Sequence, residues 1–140
     1  MNSDALTEDW QKYLRIALIS STFEVLHSSG DFLLQNGYLA NNKRDRLEVA
    51  CLHGLIYTLP FALFLYSLPP FMRPKNLELK LAIICLTHIA IDHWAIASWW
   101  CRLYNLDFDT TPKNMCTPTW VIIECDQAFH RLINHTALWF

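Results

Sequence analysis

Between Val49 and Met72 the chain reads "VACLHGLIYTLPFALFLYSLPPFM", with no Asp, Glu, Lys or Arg. No other feature limits the fold as strongly. A helix that is apolar all round must be surrounded by other apolar groups, and crossing a hydrocarbon layer about 30 Å thick takes roughly 20 such residues. Three further stretches of similar length flank it: Tyr13–Leu34, Leu79–Tyr104 and Thr119–Phe140, separated by short polar connections. The expectation is an all-α protein, a four-helix transmembrane bundle with a polar His/Asp interior. It would form a single membrane-embedded domain, 1–140, with helices at about 13–35, 47–69, 79–104 and 118–138 and a polar N-terminal extension over 1–12.

Composition agrees. Hydrophobic residues make up 53% and charged residues 17%, and with only three glycines the chain is poorly equipped for the tight turns of a β-rich fold. Pro60 would kink the second helix, and Pro69-Pro70 with Pro74 would end it. Trp10, Tyr13, Tyr38, Trp99, Trp100, Tyr104, Trp120 and Trp139 lie near segment ends, where interfacial belts collect aromatics. The competing architecture is a soluble four-helix bundle, which the all-round apolar second segment disfavours. Basic residues divide evenly between the two faces, so they do not set an orientation.

Several function classes drop out early. The net charge is −2 and no basic run exceeds Lys43-Arg44 with Arg46, so nucleic acid is not an expected partner. The five cysteines (Cys51, Cys85, Cys101, Cys116, Cys125) form no zinc-finger spacing. Most lie in apolar segments, where cysteine acts as a small hydrophobe. Cys101–Cys116 is the one conceivable disulfide, and it is not expected. The start, "MNSDALTEDWQKYLR", is acidic and polar, unlike a cleavable signal peptide. Asp107 and Asp109 lack the companions of a calcium loop.

The polar residues inside the apolar stretches are the second constraint. Each ionisable group at the centre of a membrane helix costs on the order of 2.5–3.5 kcal/mol. Helical positions four apart share a face. His27, Asp31 and Gln35 therefore form one stripe, with Glu24 beside it. His88 and Asp92 repeat the spacing, and Asp126 with His130 reverses it, with Gln127 adjacent and Asn134 continuing the face. His53 comes from the second helix, one turn from Tyr57. A single such pair can be a structural ion pair between turns. Three pairs on three helices call for a shared partner, because unpaired buried charges are too costly to accumulate.

Mixed imidazole and carboxylate donors suit zinc, manganese or iron. The candidate metal ligands are His27, Asp31, His53, His88, Asp92, Asp126 and His130. His53, Asp126, Gln35 and Lys43 are the candidate catalytic residues, His53 as a general base and Lys43 as an anchor for an anionic head group. A solvated loop lysine is the plainer account of Lys43. His93, His135 and Arg131 fall off these faces and are left outside the site.

Quoted together, "HSSGDFLLQNGYLANNK", "LHGLIYTLPF", "THIAIDHW" and "ECDQAFHRLI" resemble the DUF3307 family of small bacterial and phage membrane proteins. The matching residues are His27, Gly30, Asp31, Phe32, Gln35 and Lys43, then His53, His88 and Asp92, and Asp126, Gln127 and His130, over about Leu26 to Leu132. Ser28-Ser29 and the extension up to about Trp10 depart from the pattern. The family is similar to membrane-bound metal-dependent hydrolases. The resemblance thus implies a hydrolase in a bacterial inner membrane, acting on a lipid or phosphoester through a divalent metal, zinc first and manganese or iron next.

The alternative is a non-catalytic, metal-stabilised membrane protein acting as a phage, defence or partner-binding accessory. Haem is disfavoured by the companion aspartates, and a di-iron centre by a single Glu-x-x-His. Membrane lipids are the expected partners, with a homo-oligomer left open.

Overall fold

The computed structural model describes residues 3–104 and 119–139. Helix α1 runs Ser3–Ser28 and passes into one wide π turn, Ser29–Leu33. Then come α2 (Gly37–Asn42), α3 (Leu47–Ser67), a 3-10 turn (Pro70–Met72), α4 (Leu77–His93), α5 (Ile96–Leu103) and α6 (Thr119–Trp139). Among the described residues there is no strand, so the all-α reading holds.

The boundaries depart from the expected four helices in three places. Helix α1 starts at Ser3, so the segment read as an extension has helical backbone; it contains no Gly or Pro to stop a helix. The wide turn ends α1 early, with the Leu34 N–H bonded to the Ser29 carbonyl, a five-residue step, at 3.0 Å. The third segment is two helices, not one. Ala95 takes a left-handed conformation (φ 50°), and α5 leaves α4 at 60°. For an alanine that conformation costs on the order of 1–2 kcal/mol. The bend lets α5 turn back and pack on α6.

Helix α3 runs unbroken through Pro60 and ends where predicted, because Leu68 is extended in front of Pro69 (φ −67°, ψ 147°). Helix α3 packs on α1 and α4, and α6 packs on the same two helices from the other side. The interior they share has two parts. Ile19, Phe23, Phe61, Leu65, Leu68, Leu77, Leu81, Ile84 and Leu138 fill one part with hydrocarbon. His27, Asp31, His53, His88, Asp92, Gln127, His130 and Asn134 fill the other, and Tyr57 links the two.

Large apolar side chains occupy much of the outer surface. Val25, Leu52, Leu55, Leu59, Leu63, Leu79, Leu86, Ile123 and Leu132 all face outward. Among the described residues one helix, Leu47–Ser67, is long and apolar enough to cross a membrane, and α4 with α5 passes the same test only as a bent pair.

Cysteines 51, 85 and 125 are unbridged. Cys116, and with it the Cys101–Cys116 pairing, lies outside the described residues, as do Asp107, Asp109 and Lys113.

Candidate metal centre

Three local features aim side chains at one point. The wide turn at Ser29–Leu33 carries Asp31 inward, and Gly30 lets that turn rest on α3. A Cβ at residue 30 would stand 2.6 Å from the Tyr57 carbonyl oxygen and 2.9 Å from its Cα. Gly54 serves α3 and α4 in the same way, because a Cβ there would strike the Ile89 side chain. Asn36 caps α2 by accepting the Leu39 N–H at 2.9 Å. That short helix then delivers Lys43 over the cluster, where its carbonyl accepts the His93 Nδ1–H at 3.1 Å.

Asp31, His53, His88 and Asp92 converge there, each exposed by 5% or less. His53 Nε2 lies 3.3 Å from Asp31 Oδ1 and 3.3 Å from Asp92 Oδ2, and His88 Nε2 lies 3.9 and 3.1 Å from the same two oxygens. Donors about 2.0–2.2 Å from a tetrahedral ion stand about 3.3–3.6 Å from one another. Three of these separations, at 3.1–3.3 Å, come close to that spacing, and the four ligand atoms all lie within 4.8 Å of one another. His88 Nε2 and Asp92 Oδ2 are buried and make no aligned hydrogen bond, a cost that a cation between them would remove. A second set, Asp31, Asp126 and His130, can also hold an ion, and it shares Asp31 with the first.

Lys43 is the main surprise. Its ammonium approaches Asp92 Oδ2 at 3.0 Å, His53 Nε2 at 3.4 Å and Asp31 Oδ1 at 3.9 Å. It thus covers the face made by those three residues, with a side chain 15% exposed. It is not a solvated loop lysine. Its positive charge offsets part of the two buried carboxylates.

His27 does not join either set. The reason can be followed outward from Asp31. A carboxylate only accepts hydrogen bonds, so Gln127 turns its amide N–H to Asp31 Oδ2, at 2.7 Å. The Gln127 oxygen then accepts from His27 Nε2–H, at 2.5 Å. The neutral ring is left with a bare Nδ1, which accepts the Tyr57 O–H at 2.8 Å, and the Tyr57 oxygen accepts from the Asn134 amide. Every link points the same way. Both nitrogens of His27 are used, so it positions Asp31 rather than offering a ligand, which corrects the expectation from spacing.

Gln35 is the other miss. It lies beyond the wide turn, half-buried, its Oε1 without a hydrogen-bond partner, and it is not brought to the cluster. The one-face reading takes the helix as uniform through residue 35, and the wide turn ends it at Ser28. Asp126 sits at the rim with its side chain 22% exposed, 3.4 Å from His130 Nε2. His135 stacks on Phe23, 4.0 Å between ring centres, and Arg131 pairs with Glu24 at 3.2 Å; both stay outside the site, as expected. Tyr57, Gln127 and Asn134 belong to it, although only their places on the inward faces hinted at this.

The fold and site define an all-helical protein with a buried His/Asp cluster able to hold a metal ion. Its sequence matches the family model described as "Protein of unknown function (DUF3307)" over residues 19–136, so the chain belongs to that family. No curated protein and no solved structure matches it.

Proposed function

We propose that this chain is an integral membrane protein, of a bacterial inner membrane, that hydrolyses a lipid or phosphoester at a divalent metal held by Asp31, His53, His88 and Asp92. The observation carrying this reading is the convergence of four buried donor atoms from the wide turn, α3 and α4 to within 4.8 Å of one another. The distribution of side chains supports the membrane setting. Outward leucines line one face of α3, whereas His27, Asp31, His53, His88, Asp92 and His130 are buried. Many exposed large apolar side chains fit a chain whose outer face meets lipid or another partner.

Zinc fits two imidazoles and two carboxylates best, with manganese or iron as alternatives. Such an ion supplies Lewis acidity: it draws electron density from a phosphoryl or carbonyl oxygen and makes water more acidic. The chain's own residues do the rest. Lys43 holds an ammonium on the exposed side of the cluster, suited to an anionic substrate oxygen. The line from Asn134 to Gln127 keeps Asp31 oriented, and the hydrocarbon part of the interior excludes water.

One observation favours a second reading. Four protein donors can close a tetrahedral shell, and closed shells are typical of structural sites. On that reading the protein is a metal-stabilised accessory without turnover.

Purification in detergent followed by elemental analysis tests the metal reading. About one equivalent of a divalent transition metal is expected; no metal, or stoichiometric haem, would overturn it. Asp92→Ala should release the metal while the protein still accumulates. Screening the loaded protein on phosphoesters and lipid extracts separates the two readings. Turnover lost in Asp92→Ala favours the hydrolase, and no turnover by fully loaded protein favours the accessory.

A further inference from the structure

The two metal-capable sets share Asp31, and on donor counting alone they make a two-ion centre with a bridging carboxylate. One contact argues against this. His88 Nδ1 and His130 Nδ1 lie 3.2 Å apart, both rings buried. Two ring nitrogens at that distance form a hydrogen bond only when one carries a proton and the other is bare. A neutral imidazole has a single N–H. The ring with the bare Nδ1 therefore keeps its proton on Nε2 and cannot ligate there. If both rings offered a bare Nε2, two N–H groups would point at each other with no acceptor between them.

We infer that the chain binds one metal rather than two, through His88 Nε2, and that His130 is not a ligand but the residue that fixes the His88 tautomer. This rests on the metal reading given above. His130 Nδ1 accepts the His88 Nδ1–H, which leaves His88 Nε2 bare toward Asp31 and Asp92.

Three observations decide which ring is the ligand. The set containing His88 has four donors, all buried, whereas the set containing His130 has three and includes the partly exposed Asp126. Tyr57 lies flat against His88, 3.6 Å between ring centres and 11° between planes, and so holds its Nε2 in direction. Both Nε2 atoms face two carboxylate oxygens, but those of His130 stand farther off than the nearer one at His88. They are Asp126 Oδ2 at 3.4 Å and Asp92 Oδ1 at 3.7 Å, against Asp92 Oδ2 at 3.1 Å, so His130 is the worse placed to share an ion with them. Asp126 and His130 then form a polar strip from the rim to the cluster, a role distinct from coordination.

Equilibrium dialysis of the detergent-purified protein against zinc tests this, together with nitrogen-15 NMR of the histidine side chains. The expected result is one zinc per chain, with His88 protonated at Nδ1 and His130 at Nε2. His130→Leu should still bind one zinc, about 10–100-fold more weakly, as loss of an orienting partner does. His130→Gln should recover most of that affinity, because its amide oxygen can accept the same N–H. His88→Gln should lose tight binding. Two zinc ions in the wild type, falling to one in His130→Leu, would overturn the inference and leave the metal reading standing. The inference fails in the same way if His130→Leu loses zinc while His88→Gln keeps it, or if His130→Leu binds as tightly as wild type. A wild type that binds no zinc or other divalent metal would sink both.

Discussion

The Lys43 ammonium stands 3.0 Å from Asp92 Oδ2, and the Lys43 backbone is held by the neighbouring residue, His93. One helix end thus fixes both ends of the lysine. The two buried carboxylates have a built-in counter-charge, and an incoming cation would compete with it for them.

Replacing that charge should separate the metal-free and metal-loaded states. Lys43→Met is expected to lower the stability of protein kept in a chelator by about 3 kcal/mol, since breaking a buried ion pair leaves a charge uncompensated. With zinc added, the deficit should shrink and zinc affinity should rise, because less positive charge opposes the ion. Thermal melts in detergent, with and without zinc, read both effects. Equal melting temperatures for mutant and wild type in the chelator would contradict this account of Lys43.

His27 and His53 provide a direct contrast between positioning and ligation. His53→Asn removes a donor and should abolish tight zinc binding. His27→Asn should keep one zinc per chain and weaken it about 10–100-fold, because only the orientation of Asp31 suffers. Isothermal titration with zinc distinguishes them, and equal losses in both variants would mean that His27 does more than position.

The glycine at the wide turn should tolerate nothing larger. Gly30→Ala places a Cβ 2.6 Å from a backbone oxygen of Tyr57, an obstacle that no side-chain rotation clears. The expected destabilisation is about 1–3 kcal/mol. Gly37→Ala, which meets nothing within 4 Å at the first turn of α2, should be neutral or stabilising by about 0.4–1 kcal/mol. Melting temperatures of the two variants should fall on opposite sides of the wild type, or nearly so.

The outward face of α3 discriminates between lipid and water. Leu55 is 64% exposed near the helix centre. In water, Leu55→Lys would change stability by no more than about 0.5 kcal/mol. In a bilayer it costs about 2.5–3.5 kcal/mol. Reduced accumulation in the carbonate-resistant membrane fraction is expected. A variant that accumulates as well as wild type, or wild type recovered without detergent, would remove the membrane setting.

Much of the architecture is legible in the amino-acid sequence. An apolar run without charge at 49–72 and histidines with aspartates four apart on separate stretches lead directly to helices with a polar interior. Asp31, His53, His88 and Asp92 do meet. What escapes has specific physical causes. Spacing arguments assume 100° per residue, and the π turn at Ser29–Leu33 breaks that count between His27 and Gln35. The left-handed Ala95 splits a stretch that contains no Gly or Pro to announce a break. Lys43 has a long, flexible stem whose direction depends on where α2 sits. His27 looks like a ligand because nothing in a letter string tells which hydrogen bonds already occupy a ring.

The wide turn also makes the cluster sensitive to chain length. Removing either Ser28 or Ser29 would let the turn close as ordinary helix, with Asp31 three steps of 100° beyond His27 and so about 60° off it around the axis. Asp31 would then lose its aim at His53 and Asp92, although every letter of the His/Asp set was still present. A relative one residue shorter between His27 and Asn36 would keep the fold's outline and lose one of the four converging donors.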